Sequence, residues 1–167
     1  MKVTDTHIYF WNGTYSNWHP ARITDPATGF VFENTEQAFM WFKADKFGDT
    51  ETAGEVLKTP NPREVKKLGR QVKNYNDEEW NKVRYLIMLG VNLWKFTQIS
   101  EYQKELLATG DKIIVEASPY DKIWGVGLLE DDPLILDEKN WQGENLLGKV
   151  CMDVRTQLRR NQVVYES

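Results

Sequence analysis

Apolar and polar positions alternate on two different periods along this chain. Thr6–Trp11 (THIYFW) is a run of aromatic and β-branched residues and predicts a strand, closed by the Asn12-Gly13 turn signal. Asp25-Pro26 and Thr28-Gly29 bracket a second turn, and Phe30-Val31-Phe32 is a short apolar strand. The period then changes. Asn34 or Thr35 is placed to cap a helix carrying Glu36 and Gln37 in its first turn and running to about Phe47, where Gly48-Asp49 ends it. A short helix over Glu51–Leu57 stops before the Pro-punctuated break Thr59-Pro60-Asn61-Pro62, and Arg63–Arg70 is helical up to Gly69. Asn76 or Asp77 caps the longest helical pattern, Glu78–Gln98, in which Trp80, Val83, Leu86, Ile87, Leu93, Trp94 and Phe96 recur near every 3.6 residues. Glu101–Thr109 predicts another helix, ended by Gly110, and Lys112–Glu116 (KIIVE) is the clearest strand. Ala117–Asn140 reads as loop. A last helix covers Glu144–Arg160, with Leu146, Leu147, Val150, Val154 and Leu158 inward.

The sum is a mainly α protein, α+β with a few short strands, without the βαβ alternation of a doubly wound sheet. At 167 residues, one compact domain over 1–167 is expected. An apolar fraction of 41% supports a packed core rather than long disorder.

Charge and cysteine usage narrow the function classes. Twenty-one basic residues stand against 25 acidic ones, a net charge of −4. That balance argues against broad binding to a phosphate backbone, while leaving room for a local basic pocket. The single cysteine, Cys151, forbids an intrachain disulfide and fits a reducing cytoplasm; its place in the last helix suggests core packing. No apolar run is long enough to span a membrane, and the first residues carry no signal-peptide pattern. His7 and His19 lack Cys or acidic neighbours at ligand spacing, so no metal site is expected.

Three segments carry candidate chemistry. In Glu36-Gln-Ala-Phe-Met-Trp-Phe-Lys43 the two charged residues are seven apart, which on a helix leaves them about 20° from alignment and two turns apart. Phe39 and Met40 lie between them and Phe47 continues the stripe, so two charges fall on the apolar face. A desolvated lysine has a lowered pKa and can act as nucleophile or base. The plainer account has Glu36 capping the helix and Lys43 reaching solvent. In Glu116-Ala-Ser-Pro-Tyr-Asp121-Lys-Ile-Trp124-Gly-Val-Gly127 a strand runs into a loop. Asp121 there can act as acid or base and Trp124 can stack on a base or sugar; equally, this is a turn with Trp124 filling the core. In Trp141-Gln-Gly-Glu-Asn145-Leu-Leu-Gly148, Asn145 either receives an anion near a helix start or holds the loop. Arg70 can bind phosphate or simply complement a helix end, and Ser16 and Asn17 can bind ligand or shape a turn.

The order of these segments resembles one family. Ser16-Asn17-Trp18, Glu36-Gln37 with Lys43-Ala44, Gly69-Arg70, Trp80, Lys95-Phe96, Leu106-Leu107-x-Thr109-Gly110, Glu116-x-Ser118-x-x-Asp121-x-x-Trp124-Gly125-x-Gly127 and Trp141-x-Gly143-x-Asn145-Leu146-Leu147-Gly148 follow one another as in the NADAR, or YbiA-like, family. The resemblance extends from about Tyr9 to Leu158. It implies a YbiA-like fold and hydrolysis of an N-glycosidic bond. Substrates of family members include phosphorylated ribosylaminopyrimidine intermediates of riboflavin biosynthesis and ADP-ribose attached to guanine, and a role in NAD and ADP-ribose metabolism has been proposed.

By the same resemblance, the functional residues fall on Glu36, Lys43, Asp121 and Trp124. Lys43 is the candidate Schiff-base nucleophile, and Ser16, Asn17, Arg70 and Asn145 are further substrate-binding candidates. The implied partner is a phosphorylated ribosyl or ADP-ribosyl substrate, with ADP-ribosylated nucleic acid as one source of the latter. No cofactor is implied. Two features depart from the pattern: Glu144 stands where a basic residue is frequent, and Leu129–Lys139 is rich in acidic residues. An oxocarbenium-like path, with Lys43 only binding substrate, is the mechanistic alternative. A sensor that binds ADP-ribose without turning it over is the functional one.

Overall fold

A computed structural model describes residues 1–166, and side chains as far as residue 162. The predicted domain limit at Ser167 lies outside the described residues. In chain order the elements are β1 (Lys2–Val3), β2 (His7–Phe10), β3 (Ile23–Thr24), β4 (Val31–Phe32), α1 (Thr35–Lys46), α2 (Thr50–Leu57), α3 (Pro62–Gly69), α4 (Asp77–Gln98), α5 (Ser100–Ala108), β5 (Ile113–Glu116) and α6 (Leu146–Glu166), with 3-10 turns at Pro133–Leu136 and Glu138–Asn140. No described helix is long and apolar enough to cross a membrane. The chain divides into two compact units, one formed by Met1–Ser16 and the residues from Ser100 on, the other by Asn17–Ile99.

The first unit is built on a three-stranded sheet in the order β1-β2-β5. β1 pairs antiparallel with β2, and β2 pairs parallel with β5, Ile8 opposite Ile114 and Tyr9 opposite Val115. Tyr9, Val115, Ala117, Val126, Leu128 and Ile135 form one buried cluster, closed by Trp141, whose indole N–H donates to the Ile135 carbonyl at 2.8 Å. α6 packs on β5 and buries Leu147, Val150, Cys151, Val154 and Leu158.

The second unit holds the β3–β4 hairpin and four helices, with α1 packed against α2, α3 and α4. Caps explain where the helices start. Asn34 Oδ1 accepts the Gln37 N–H at 2.8 Å, Asn61 accepts those of Arg63 and Glu64, and Asn76 that of Glu79. Pro62 occupies the first turn of α3, where its missing N–H costs nothing. The buried Gln37 amide stitches α1 to the end of α2, donating to the carbonyls of Val56 and Thr59 at 3.0 and 3.1 Å. Gly69 of α3 leaves room for the Met40 side chain of α1, whose sulfur a Cβ there would displace. Leu86, part of the helical pattern in sequence, is 67% exposed on α4.

Candidate functional site

The second unit brings Glu36 and Lys43 together on one face of α1. Asn17 anchors the start of that helix. Its carbonyl accepts the Glu36 N–H at 3.1 Å and its side-chain oxygen accepts the Thr35 hydroxyl at 2.8 Å, while its amide donates to Met88 Sδ at 3.4 Å. Asn17 is therefore buried and committed within its own unit, and it fixes where the Glu36 backbone begins. Glu36 is itself buried, with 8% of its surface exposed.

Lys43 lies two turns on and is half-buried. Its Nζ is 4.7 Å from the centre of the Tyr75 ring and 5.9 Å from that of Trp80. Phe47 stands edge-on to Tyr75 at 5.3 Å, and Phe39 packs on Trp80 at 5.1 Å. The amine thus sits in an aromatic recess. Burial lowers its pKa, the Glu36 carboxylate opposes that shift, and the Arg70 guanidinium adds to it. Arg70 is exposed at the end of α3, where its N–H caps onto the Lys66 and Lys67 carbonyls. The result is a lysine more readily deprotonated than an ordinary one, between an acid and a cation.

The loop that carries Arg70 and Tyr75 is tied down by Asp49. This carboxylate caps α2 through the Thr52 N–H and hydroxyl, at 3.0 and 2.6 Å, and accepts the Lys73 N–H at 2.9 Å. Those bonds, the Lys73 N–H foremost, hold its pKa down to about 2. Tyr75 and Phe47 had no functional role in the sequence reading, and Trp80 entered only as a family position and as part of the apolar pattern of the long helix. A trace of Tyr75 was there, as the one aromatic residue in the polar run Lys73-Asn74-Tyr75-Asn76-Asp77.

The other predicted residues belong to the first unit. Asp121 and Trp124 are both half-buried, in the loop after β5. One Asp121 oxygen accepts the N–H groups of Ile123 and Trp124, at 2.9 and 2.8 Å, so this carboxylate builds the turn that presents Trp124. Gly125 permits close approach of that turn's own backbone, since a Cβ would lie 2.9 Å from the Asp121 carbonyl. Asn145, at φ 54°, uses its whole amide inside the unit: Oδ1 accepts the Glu116 N–H at 2.9 Å and Nδ2 donates to the Ile114 carbonyl at 3.0 Å. The first N–H groups of α6, those of Leu146 and Leu147, donate to the Ile123 and Trp124 carbonyls, each at 3.1 Å. Asn145 accordingly holds the loop, and the helix start beside it already has backbone acceptors. Ser16, also buried, closes a turn by donating its N–H to Gly13.

Comparison with known proteins places this geometry in context. The NADAR domain model matches residues 9–159. An N-glycosidase of Acanthamoeba polyphaga mimivirus is 37% identical over 163 residues, covering 91% of this chain and 96% of that protein. A riboflavin biosynthesis protein of Vibrio vulnificus is 27% identical over 95% of this chain, which spans only 40% of that longer protein. The NMR structure of the E. coli protein YbiA superposes with a TM-score of 0.77 at 26% identity, covering 97% of this chain and 90% of that one.

Proposed function

The chain belongs to the NADAR family, and we propose that it is an N-glycosidase that breaks the bond between ribose C1 and an amino-type nitrogen, with Lys43 as the nucleophile. The family relatives named N-glycosidase support the reaction class. The observation that carries the role of Lys43 is its half-buried amine, set among rings on the same helix face as Glu36.

An N-ribosylamine opens its sugar ring to an imine, which makes C1 electrophilic. The neutral Lys43 amine adds to C1. The bond from C1 to the leaving nitrogen then breaks as that nitrogen takes a proton, leaving an iminium between C1 and Nζ. Water adds to C1, the bond to Nζ breaks, and the sugar departs as an aldehyde with the lysine restored. Glu36 moves the protons. Arg70 meets a substrate phosphate. In the first unit, Asp121 is a further candidate acid and Trp124 a candidate stacking residue, as the family resemblance has it.

The substrate classes are phosphorylated ribosylaminopyrimidines, supported by the name of the Vibrio relative, and ADP-ribose on guanine. The test is product analysis by mass spectrometry on a phosphorylated ribosylaminopyrimidine, an oligonucleotide ADP-ribosylated on guanine, and NAD. Native protein should release free base from at least one of them, and Lys43→Ala should lose about a thousandfold in turnover on it. Borohydride added during turnover should fix the sugar on Lys43. Full activity of Lys43→Ala would remove the lysine from the chemistry. Active enzyme without any adduct would favour the oxocarbenium path, and tight ADP-ribose binding without release would make the protein a sensor.

A further inference from the structure

Tyr75 lies in none of the motifs that mark the family resemblance, yet its ring is nearer the Lys43 amine than any other aromatic contact described, at 4.7 Å against 5.9 Å for Trp80. The ring is held from several directions. Phe47 meets it edge-on at 5.3 Å. Its hydroxyl donates to Asp77 Oδ1 at 2.8 Å, in the first turn of α4. The backbone on one side is pinned by the bond from Lys73 to Asp49, and on the other by Asn76, which caps α4. Tyr75 is nevertheless 42% exposed. A partly exposed tyrosine restrained this thoroughly needs a reason beyond filling the core.

We propose that Tyr75 is a positioning residue that holds the Lys43 nitrogen against the face of its ring and stabilises the cationic forms this nitrogen takes. The proposal rests on the reading of Lys43 as nucleophile. The face of an aromatic ring carries negative charge and attracts a cation within about 6 Å of its centre. The nitrogen begins the reaction as a neutral amine and becomes a positively charged iminium once the leaving group has gone. The ring gains more from the charged state than from the neutral one, and an interaction of that kind lowers the barrier rather than merely tightening binding. It also draws on the ring and not on the hydroxyl, which is occupied by Asp77.

The groups that set the charge here can be named from each side. Glu36 faces the amine from α1, Arg70 from the end of α3, and Tyr75 from the loop before α4. Tyr75 itself feels Asp77 and Arg84 of α4.

The test compares native protein with Tyr75→Phe, Tyr75→Leu and Tyr75→Met as full-length chains. First, Lys43 is titrated without substrate, by competitive acetylation across pH and mass spectrometry of its peptide. Loss of the ring in the Leu and Met variants should move the titration of Lys43 to lower pH, because the protonated amine loses its partner, and Phe should titrate like native. Secondly, on the substrate that native protein cleaves, kcat should fall about three- to thirtyfold in Leu and Met, with Phe near native. The acid limb of the pH profile should follow the titration. Native titration in both ring-free variants would overturn the proposal, and so would a Phe variant that behaves like Leu. Full activity of Lys43→Ala together with the titration shift would leave the ring–amine contact standing and remove its catalytic reading.

Discussion

Lys43 shows how little of a residue's chemistry is set by its identity. A lysine in water is protonated at neutral pH, whereas this one is pushed toward neutrality by burial and by Arg70, and back by Glu36. Because the two charged neighbours act in opposite senses, they can be separated. Glu36→Gln removes the group that favours the ammonium, so Lys43 should titrate lower still. Arg70→Gln removes a repelling cation, so it should titrate higher. Competitive acetylation of the two variants across pH checks both signs in one experiment. Shifts in the same direction would show that the amine responds to a change in solvent access and not to these charges. Activity will separate the roles further: Arg70→Gln should raise KM for a phosphorylated substrate with a smaller effect on kcat, as expected when a binding group is lost.

At the scale of elements, short local signals did most of the positioning. The seven-residue spacing from Glu36 to Lys43 was legible because a helix converts it into a shared face, and the helix existed because Asn34 caps it. The start of α4 was legible for the same reason, Asn76 being a cap signal in sequence, while Asn61, which caps α3, was read only as part of the Pro-punctuated break before it. The two-residue strands β1 and β3 were not legible, although β4 was read from the apolar run Phe30-Val31-Phe32. β1 and β3 exist through their pairing, with Lys2 opposite Tyr9 and Ile23 opposite Phe32, and a two-residue stretch has no periodicity to read. The parallel pairing of β2 with β5 joins residues about a hundred positions apart, beyond any local signal. Tyr75 escaped for a related reason: its partner Lys43 is on another element, and the loop that carries Tyr75 is set by Asp49.

That loop gives a pH prediction. The Asp49 carboxylate is held down from 3.8 to about 2 by the N–H of Lys73 and by Thr52. A depressed carboxylate stabilises the folded chain above its unfolded pKa, and the contribution disappears as pH falls through the folded value. The melting temperature of native protein should therefore exceed that of Asp49→Asn by a constant margin above about pH 5. The margin should close between about pH 4 and pH 2. A margin that persisted unchanged at pH 2 would mean that the amide loses packing rather than charge.

On the scale of the whole molecule, charge sets what kind of anion can be handled. The protein carries 25 acidic against 21 basic residues, so its average field repels polyanions. Within the Asn17–Ile99 unit the site offers Arg70 as a standing cation, while Lys43 is biased toward its neutral form. Salt dependence reports how many phosphates a protein neutralises, because each one releases counterions, and the logarithm of affinity falls with the logarithm of salt by about 0.9 per phosphate on duplex DNA. A small phosphorylated substrate carries no condensed counterion atmosphere, so its contact with Arg70 predicts only a shallow fall of log kcat/KM, from ordinary screening, between about 50 and 200 mM salt. An ADP-ribosylated oligonucleotide held by its ribosyl phosphate alone should give nearly the same slope, whereas flanking phosphates that reach the exposed Arg63, Lys67 and Lys73 of the same stretch would steepen it. Measured side by side, matching shallow slopes would mean that the protein grips the ribosyl phosphate and ignores the polymer. A slope steeper than about −3 on the oligonucleotide alone would reveal a basic track that the net charge conceals, and would make nucleic acid the substrate to pursue.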